Sequence, residues 1–241
     1  MKSILLLHGW NDDNYTSRTK STDAWDNRKD FVDILSKNYK IYTLNFPGFC
    51  GSPEPSKSWY LKDYLEYVYK YIKDNNIKTD YILGYSFGGA VATLYIYLKD
   101  PTQKIILVSP AITRTNVKPD ITRPNIIRRL IRSIYLRYVI KNKYMINGTK
   151  FLSNSYQNIV RIELINELNS INPDNVLIIY GDKDEMVDPY KVYNSLNDKL
   201  KKRVIFIKDG MHDIANTHTD ELISIISKYG NKIPYFFYYL I

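Results

Sequence analysis

Gly84-Tyr85-Ser86-Phe87-Gly88 sets a serine two residues from a glycine on each side. A short β-like run, residues 79–83, precedes it, and a helix-like run, residues 87–99, follows. Between strand and helix this spacing is a nucleophile elbow, a turn so tight that the serine stands clear of the sheet edge. Both glycines are required because a Cβ there would strike the neighbouring strand or helix. The same turn can also serve only for close helix–sheet packing, so the serine needs chemical partners before it counts as a nucleophile.

A serine hydroxyl needs a positioned base, and the base needs an orienting acid. The chain holds three histidines, His8, His212 and His218. His212 stands in Asp209-Gly210-Met211-His212-Asp213, just after the last strand-like run, where a loop can reach back over the sheet edge. It is placed ahead of His218, which sits in a helix-like run. His8, at the end of the first strand-like run, suits a structural, loop-holding role. The acid is expected in Tyr180-Gly181-Asp182-Lys183-Asp184-Glu185-Met186-Val187-Asp188-Pro189. Asp184 is favoured, followed by Asp182 and by Asp188, whose place before Pro189 also fits a helix N-cap. The 28 positions from Asp184 to His212 leave room for one helix and one strand.

Attack on a carbonyl also requires two N–H groups to hold the developing oxyanion. The Phe87 N–H, directly after the serine at a helix N-terminus, supplies one. The loop at His8-Gly9-Trp10 supplies the other, with Gly9 letting the backbone turn inward and the Trp10 N–H as donor.

The elements that must position these groups alternate along the chain. Strand-like runs fall at residues 3–7, 40–45, 79–83, 104–108, 175–180 and 203–207, short stretches of Ile, Leu, Val and Tyr between polar or glycine residues. Alternation with helical runs predicts a parallel sheet covered on both faces. From Ser58 onward, Leu61, Tyr64, Leu65, Val68 and Ile72 form one apolar stripe at helical spacing. Residues 217–227 carry Leu222, Ile223 and Ile226 on one face. The rhythm breaks between Ile112 and Asn172, where helical pieces are interrupted by Pro119, Pro124 and Gly148.

These motifs, in this order, resemble the α/β-hydrolase superfamily over nearly the whole chain. The matches are His8-Gly9-Trp10, Phe46-Pro47-Gly48-Phe49-Cys50-Gly51-Ser52, the elbow at Ser86, Gly181-Asp182-Lys183-Asp184 and Gly210-Met211-His212, with the chain order Ser, Asp, His. The resemblance implies an α/β-hydrolase fold, a mostly parallel sheet of about six strands flanked by helices. It also implies that 112–172 is a helical cap inserted between core segments 1–111 and 173–241. The implied nucleophile, acid and base are Ser86, Asp184 and His212, with oxyanion donors Trp10 and Phe87. Two positions depart from the family pattern: Asn45 stands for an aspartate and Cys50 for a glycine. A reactive Cys50 thiol is not expected, since no base is recognisable beside it.

The implied activity is cleavage of a carboxylic acyl ester through an acyl-enzyme, on a hydrophobic or lipid-like substrate, with no metal and no cofactor. The same triad also serves acyl transfer, thioester hydrolysis or carbon–carbon bond cleavage, and the fold also carries binding proteins without catalysis. The net charge of +9 and a basic, amphipathic stretch holding Arg123, Arg128, Arg129, Arg132, Arg137, Lys141 and Lys143 suit either a cap helix with solvated charges or docking on anionic lipid or an acidic partner. No nucleic-acid module is recognisable. A single cysteine, no membrane-length apolar run and no leader-like N-terminus make the cytoplasm the expected compartment. The aromatic tail, residues 234–241, is expected to pack back on the body.

Overall fold

The computed structural model describes residues 1–113 and 142–230. The basic residues from Arg123 to Lys141 and the aromatic tail lie outside the described residues. Six strands form one all-parallel sheet: β1 Lys2–Leu7, β2 Tyr39–Leu44, β3 Tyr81–Tyr85, β4 Lys104–Val108, β5 Val176–Gly181 and β6 Val204–Ile207, in the order β2-β1-β3-β4-β5-β6. Its longer helices are α1 Lys29–Ser36, α2 Leu61–Asp74, α3 Phe87–Leu98, α4 Lys150–Ile159 and α5 Thr219–Gly230.

Alternating side chains on each strand point to opposite faces, and both faces are buried. Leu5, Leu7, Ile82, Leu107 and Ile178 pack with α2 and α3, whereas Ile4, Leu6, Leu83, Ile106 and Leu177 pack with α1 and α5. The expected stripe on α2 is the face that is covered: Tyr64, Leu65 and Val68 are buried, and Leu61 and Ile72 pack against them. Helix α3 is buried from Phe87 to Ile96, as a helix apolar all round must be. Leu222, Ile223 and Ile226 of α5 are likewise buried.

Strand β3 starts two residues later than the sequence suggests, and β5 and β6 one residue later. Thr79 and Asp80 lead into β3 instead of opening it, because the Asp80 carboxylate accepts the Ser3 N–H at 2.8 Å, and Tyr81 begins the ladder with Ile4. The strand therefore runs to Tyr85 and ends directly against Ser86. Helix α1 has no counterpart in the sequence reading; its buried residues are only Phe31 and Leu35.

Connections from β1 leave toward β2 on one side, and those from β3 continue on the other, so the chain reverses direction across the sheet between β1 and β3. In open parallel sheets, the crevice beyond the carboxyl ends at such a reversal is where ligands bind. The Gly9-Trp10 loop and the Ser86 turn meet there.

Candidate active site

Ser86 occupies the turn between β3 and α3 with φ +51° and ψ −112°, a region that L-residues adopt only when their surroundings force it. The surroundings do force it. The Ser86 N–H donates to Val108 O at 2.9 Å, and Ser86 O accepts from Gly89 and Ala111 at 3.0 and 2.9 Å. A Cβ on Gly84 would lie 2.5 Å from Gly88 O, and one on Gly88 would lie 2.1 Å from Leu7 O. Both flanking glycines are thus dictated by close backbone approach.

His212 lies in the loop after β6. Its Nε2 is 3.0 Å from Ser86 Oγ, and its Nδ1 is 2.8 Å from Asp184 Oδ2. An ionised carboxylate can only accept, so Nδ1 carries the proton and the Nε2 lone pair faces the serine hydroxyl. Asp184 is buried, and its other oxygen accepts the N–H groups of Met186 and Val187 at 2.9 and 3.1 Å. The loops that carry Asp184 and His212 are joined backbone to backbone: Lys183 N–H donates to Gly210 O at 2.9 Å, and a Cβ on Gly181 would lie 2.2 Å from that oxygen. Of the other two acids considered, Asp188 caps the helix Pro189–Ser195 by accepting from Lys191 N–H at 2.9 Å. Asp182 Oδ1 has no hydrogen-bond partner among the described residues. His218 hydrogen-bonds Thr217 Oγ1 instead of joining the site.

The Trp10 and Phe87 backbone N–H groups donate to no described residue, and both residues line the pocket at Ser86. Phe87 is the first residue of α3, where the helix dipole adds positive potential. Gly9 permits the approach of the first loop, since its Cβ would already touch Ser86 Cβ at 3.1 Å. The Trp10 indole N–H is held by Tyr15 Oη at 2.7 Å, and Tyr15 donates to Tyr144 O at 3.0 Å. The pocket encloses about 280 Å³, with an apolar wall that includes Tyr144, Tyr156, Ile159, Val160 and Ile162. These residues come from the helical segment between β4 and β5.

His8 is buried beneath this loop. Its Nδ1–H donates to Gly9 O at 2.8 Å, and its Nε2 accepts the Phe46 N–H at 2.9 Å. It ties the loop after β1 to the loop after β2, in the structural role expected for it. Burial lowers its pKa from 6.5 to about 4. Above pH 6.5 the ring is neutral in both folded and unfolded chains, so it adds no pH dependence. As pH falls from 6.5 toward 4, only the unfolded chain gains the proton, and stability drops. Between pH 7 and 4.5 the expected loss from this group is about 2–3 kcal/mol. Urea unfolding at the two pH values should show that loss in the wild type and a smaller one in His8→Gln.

The family model for the alpha/beta hydrolase fold matches residues 2–132, just over half of the chain. This chain belongs to that family. A search of curated proteins finds no match to the sequence. Among solved structures, an esterase from Exiguobacterium antarcticum is similar at 15% identity, covering 96% of this chain and 92% of that one, with a TM-score of 0.68. A meta-cleavage product hydrolase from Pseudomonas fluorescens IP01 is similar at 16% identity, over 96% and 91% of the two chains, with a TM-score of 0.65. A monoacylglycerol lipase from Paleococcus ferrophilus is similar at 16% identity, over 94% of each chain, with a TM-score of 0.59. At these identities the likeness is one of fold.

The departures from the α/β-hydrolase pattern are structural in this member. Asn45 accepts the Ala24 N–H at 2.9 Å and donates to Thr22 O at 2.7 Å, pinning the segment before α1. Cys50 is buried, adopts φ +45°, and burial pushes its thiol pKa up, away from the thiolate a nucleophile would need. Among the described residues no group of three or more His, Cys, Asp or Glu side chains is placed to hold a metal ion, and no helix is long and apolar enough to cross a membrane.

Four residues that sequence reasoning missed cluster around His212 and the residue that follows it. The His212 carbonyl accepts from Tyr85 Oη and Ser109 Oγ, each at 3.0 Å. Arg28 and Asp213 pair beside it, with Nε to Oδ1 at 3.0 Å. Tyr85 and Asp213 adjoin Ser86 and His212 in sequence, which was a signal of a kind. Nothing in the sequence connects Arg28 or Ser109 to the site.

Proposed function

We propose that this α/β hydrolase is a serine hydrolase that cleaves a carboxylic ester, through an acyl-enzyme on Ser86. The observation that carries the reading is the unbroken array from Ser86 Oγ through His212 to Asp184, at 3.0 and 2.8 Å. Ser86 Oγ attacks the acyl carbonyl while His212 Nε2 takes its proton. Asp184 holds the imidazole in the right tautomer and stabilises the imidazolium. The Trp10 and Phe87 N–H groups hold the oxyanion. His212 then gives its proton to the leaving alcohol, and in the second half activates the water that releases the acid and restores Ser86.

The apolar, aromatic pocket wall supports a hydrophobic acyl group. We assign residues 1–111 and 173–241 to the catalytic core and residues 112–172 to a cap, of which the described residues Tyr144, Tyr156, Ile159, Val160 and Ile162 supply this wall. A fluorophosphonate, which phosphonylates an activated serine, tests the reading. Mass mapping should find one adduct per chain, on Ser86, and p-nitrophenyl esters of rising chain length should be hydrolysed. No adduct on folded protein, or an adduct elsewhere, overturns the proposal.

A further inference from the structure

Two charged side chains beside the reaction centre have no part in the acyl-transfer scheme. Arg28, at the entry to α1, and Asp213, next to the base, both line the pocket that holds Ser86 and His212. The Arg28 side chain is only 9% exposed. It donates from Nε to Asp213 Oδ1 and from Nη1 to Asn27 Oδ1, each at 3.0 Å, and its guanidinium lies 4.3 Å from the Tyr85 ring centroid. A guanidinium this deeply buried is a costly way to fill space, because desolvation takes back much of the Coulomb gain of its ion pair.

The geometry around Tyr85 gives the pair a use. Tyr85 Oη has one proton and two acceptors within reach, His212 O at 3.0 Å and Asp213 Oδ1 at 3.2 Å. Burial raises the Tyr85 pKa, so the proton stays on the phenol. A carboxylate is the stronger acceptor, but its hold on that proton weakens as other donors draw on the same oxygen. Arg28 Nε donates to that same Oδ1 at 3.0 Å, and Asn216 Nδ2 donates to Oδ2 at 2.9 Å.

We propose that Arg28 and Asp213 are positioning residues for His212. By drawing on Asp213 Oδ1, Arg28 weakens that oxygen's hold on the Tyr85 proton in favour of the His212 carbonyl, and the two cancel the charge each would bring to the pocket that holds the imidazole. The catalytic part rests on the reading of His212 as general base. Among the described residues, Ser86, Tyr85, Ser109 and Asp184 hydrogen-bond His212, while Arg28, before α1, and Asp213, on the loop of His212, line the same pocket. Lys143, paired with Asp12 at 3.0 Å, lines the same pocket.

Removing either partner therefore moves the imidazole titration in opposite directions. Arg28→Gln leaves an uncancelled carboxylate, which favours imidazolium, so the midpoint rises by about half a pH unit or more. Asp213→Asn leaves an uncancelled guanidinium and lowers the midpoint by a similar amount. The double variant returns it close to the wild-type value. Proton NMR titration of the three histidines, with His212 assigned through His212→Asn, reads this without any turnover. The rate of fluorophosphonate labelling should fall about tenfold in Arg28→Gln, with its acid limb displaced to higher pH. Asp213→Asn, at a half-exposed position, keeps the test open should Arg28→Gln not fold. Midpoints that stay put, or that move in the same direction, overturn the inference. Opposite shifts in a wild-type protein that fails to label would uphold the charge balance and overturn only the catalytic reading beneath it.

Discussion

Asp184→Asn is expected to lower ester turnover about 10⁴-fold while changing KM little and leaving the fold intact. The size follows from which way the new amide must point. Asp184 Oδ1 accepts two backbone N–H groups, from Met186 and Val187, and only the carbonyl oxygen of an asparagine can satisfy them. The amide NH₂ is then directed at His212 Nδ1, where it donates. That places the imidazole proton on Nε2, facing Ser86 as a donor, and the base is lost. Because the two backbone bonds survive, thermal unfolding should shift little. The check is kcat and KM on a p-nitrophenyl ester, with circular dichroism as the control for folding. A loss smaller than tenfold would remove Asp184 from the triad.

Gly88→Ala is expected to have the largest effect on stability, because the methyl group meets backbone and not a movable side chain. Its Cβ would lie 2.1 Å from Leu7 O, 2.6 Å from Leu7 C and 2.8 Å from His8 O. Relief requires α3 to move off β1, which opens the helix buried most completely. A cost of about 3 kcal/mol or more follows, lowering Tm by about 6–12 °C for a chain of this size. Gly51→Ala is the matched control. Gly51 has φ +83°, but its Cβ would meet nothing within 4 Å, so only backbone strain is added, about 1 kcal/mol. Thermal unfolding of the two variants separates close approach from conformational freedom, and equal losses would contradict the argument.

How much could be read from the sequence depended on whether a feature was local. The strands were legible because each is a short apolar run with polar ends. The elbow was legible because its spacing and its strand–helix context lie within a few residues. Asp188 could be placed as a helix cap from the proline beside it. Gly181 is needed to admit Gly210 from a loop that follows a different strand, a closeness that no residue near it in the sequence reveals. Helix α1 escaped notice because eight residues with two buried positions give too little periodicity. The brace around His212 escaped because Arg28, Tyr85, Ser109 and Asp213 come from four separate segments, and only the parallel topology brings them together.

His212, the proposed base, follows β6, a four-residue strand that among the described residues pairs only with β5. With Ser86 as the proposed nucleophile and Trp10 and Phe87 as the proposed oxyanion donors, these groups sit beside the inner strands β1 and β3, so the proposed reaction needs inner and edge elements at once. Edge elements open before the core does. Activity is therefore expected to gauge the margin of this protein and not its middle: on warming, peeling of one short strand would silence Ser86 while most of the molecule is still native.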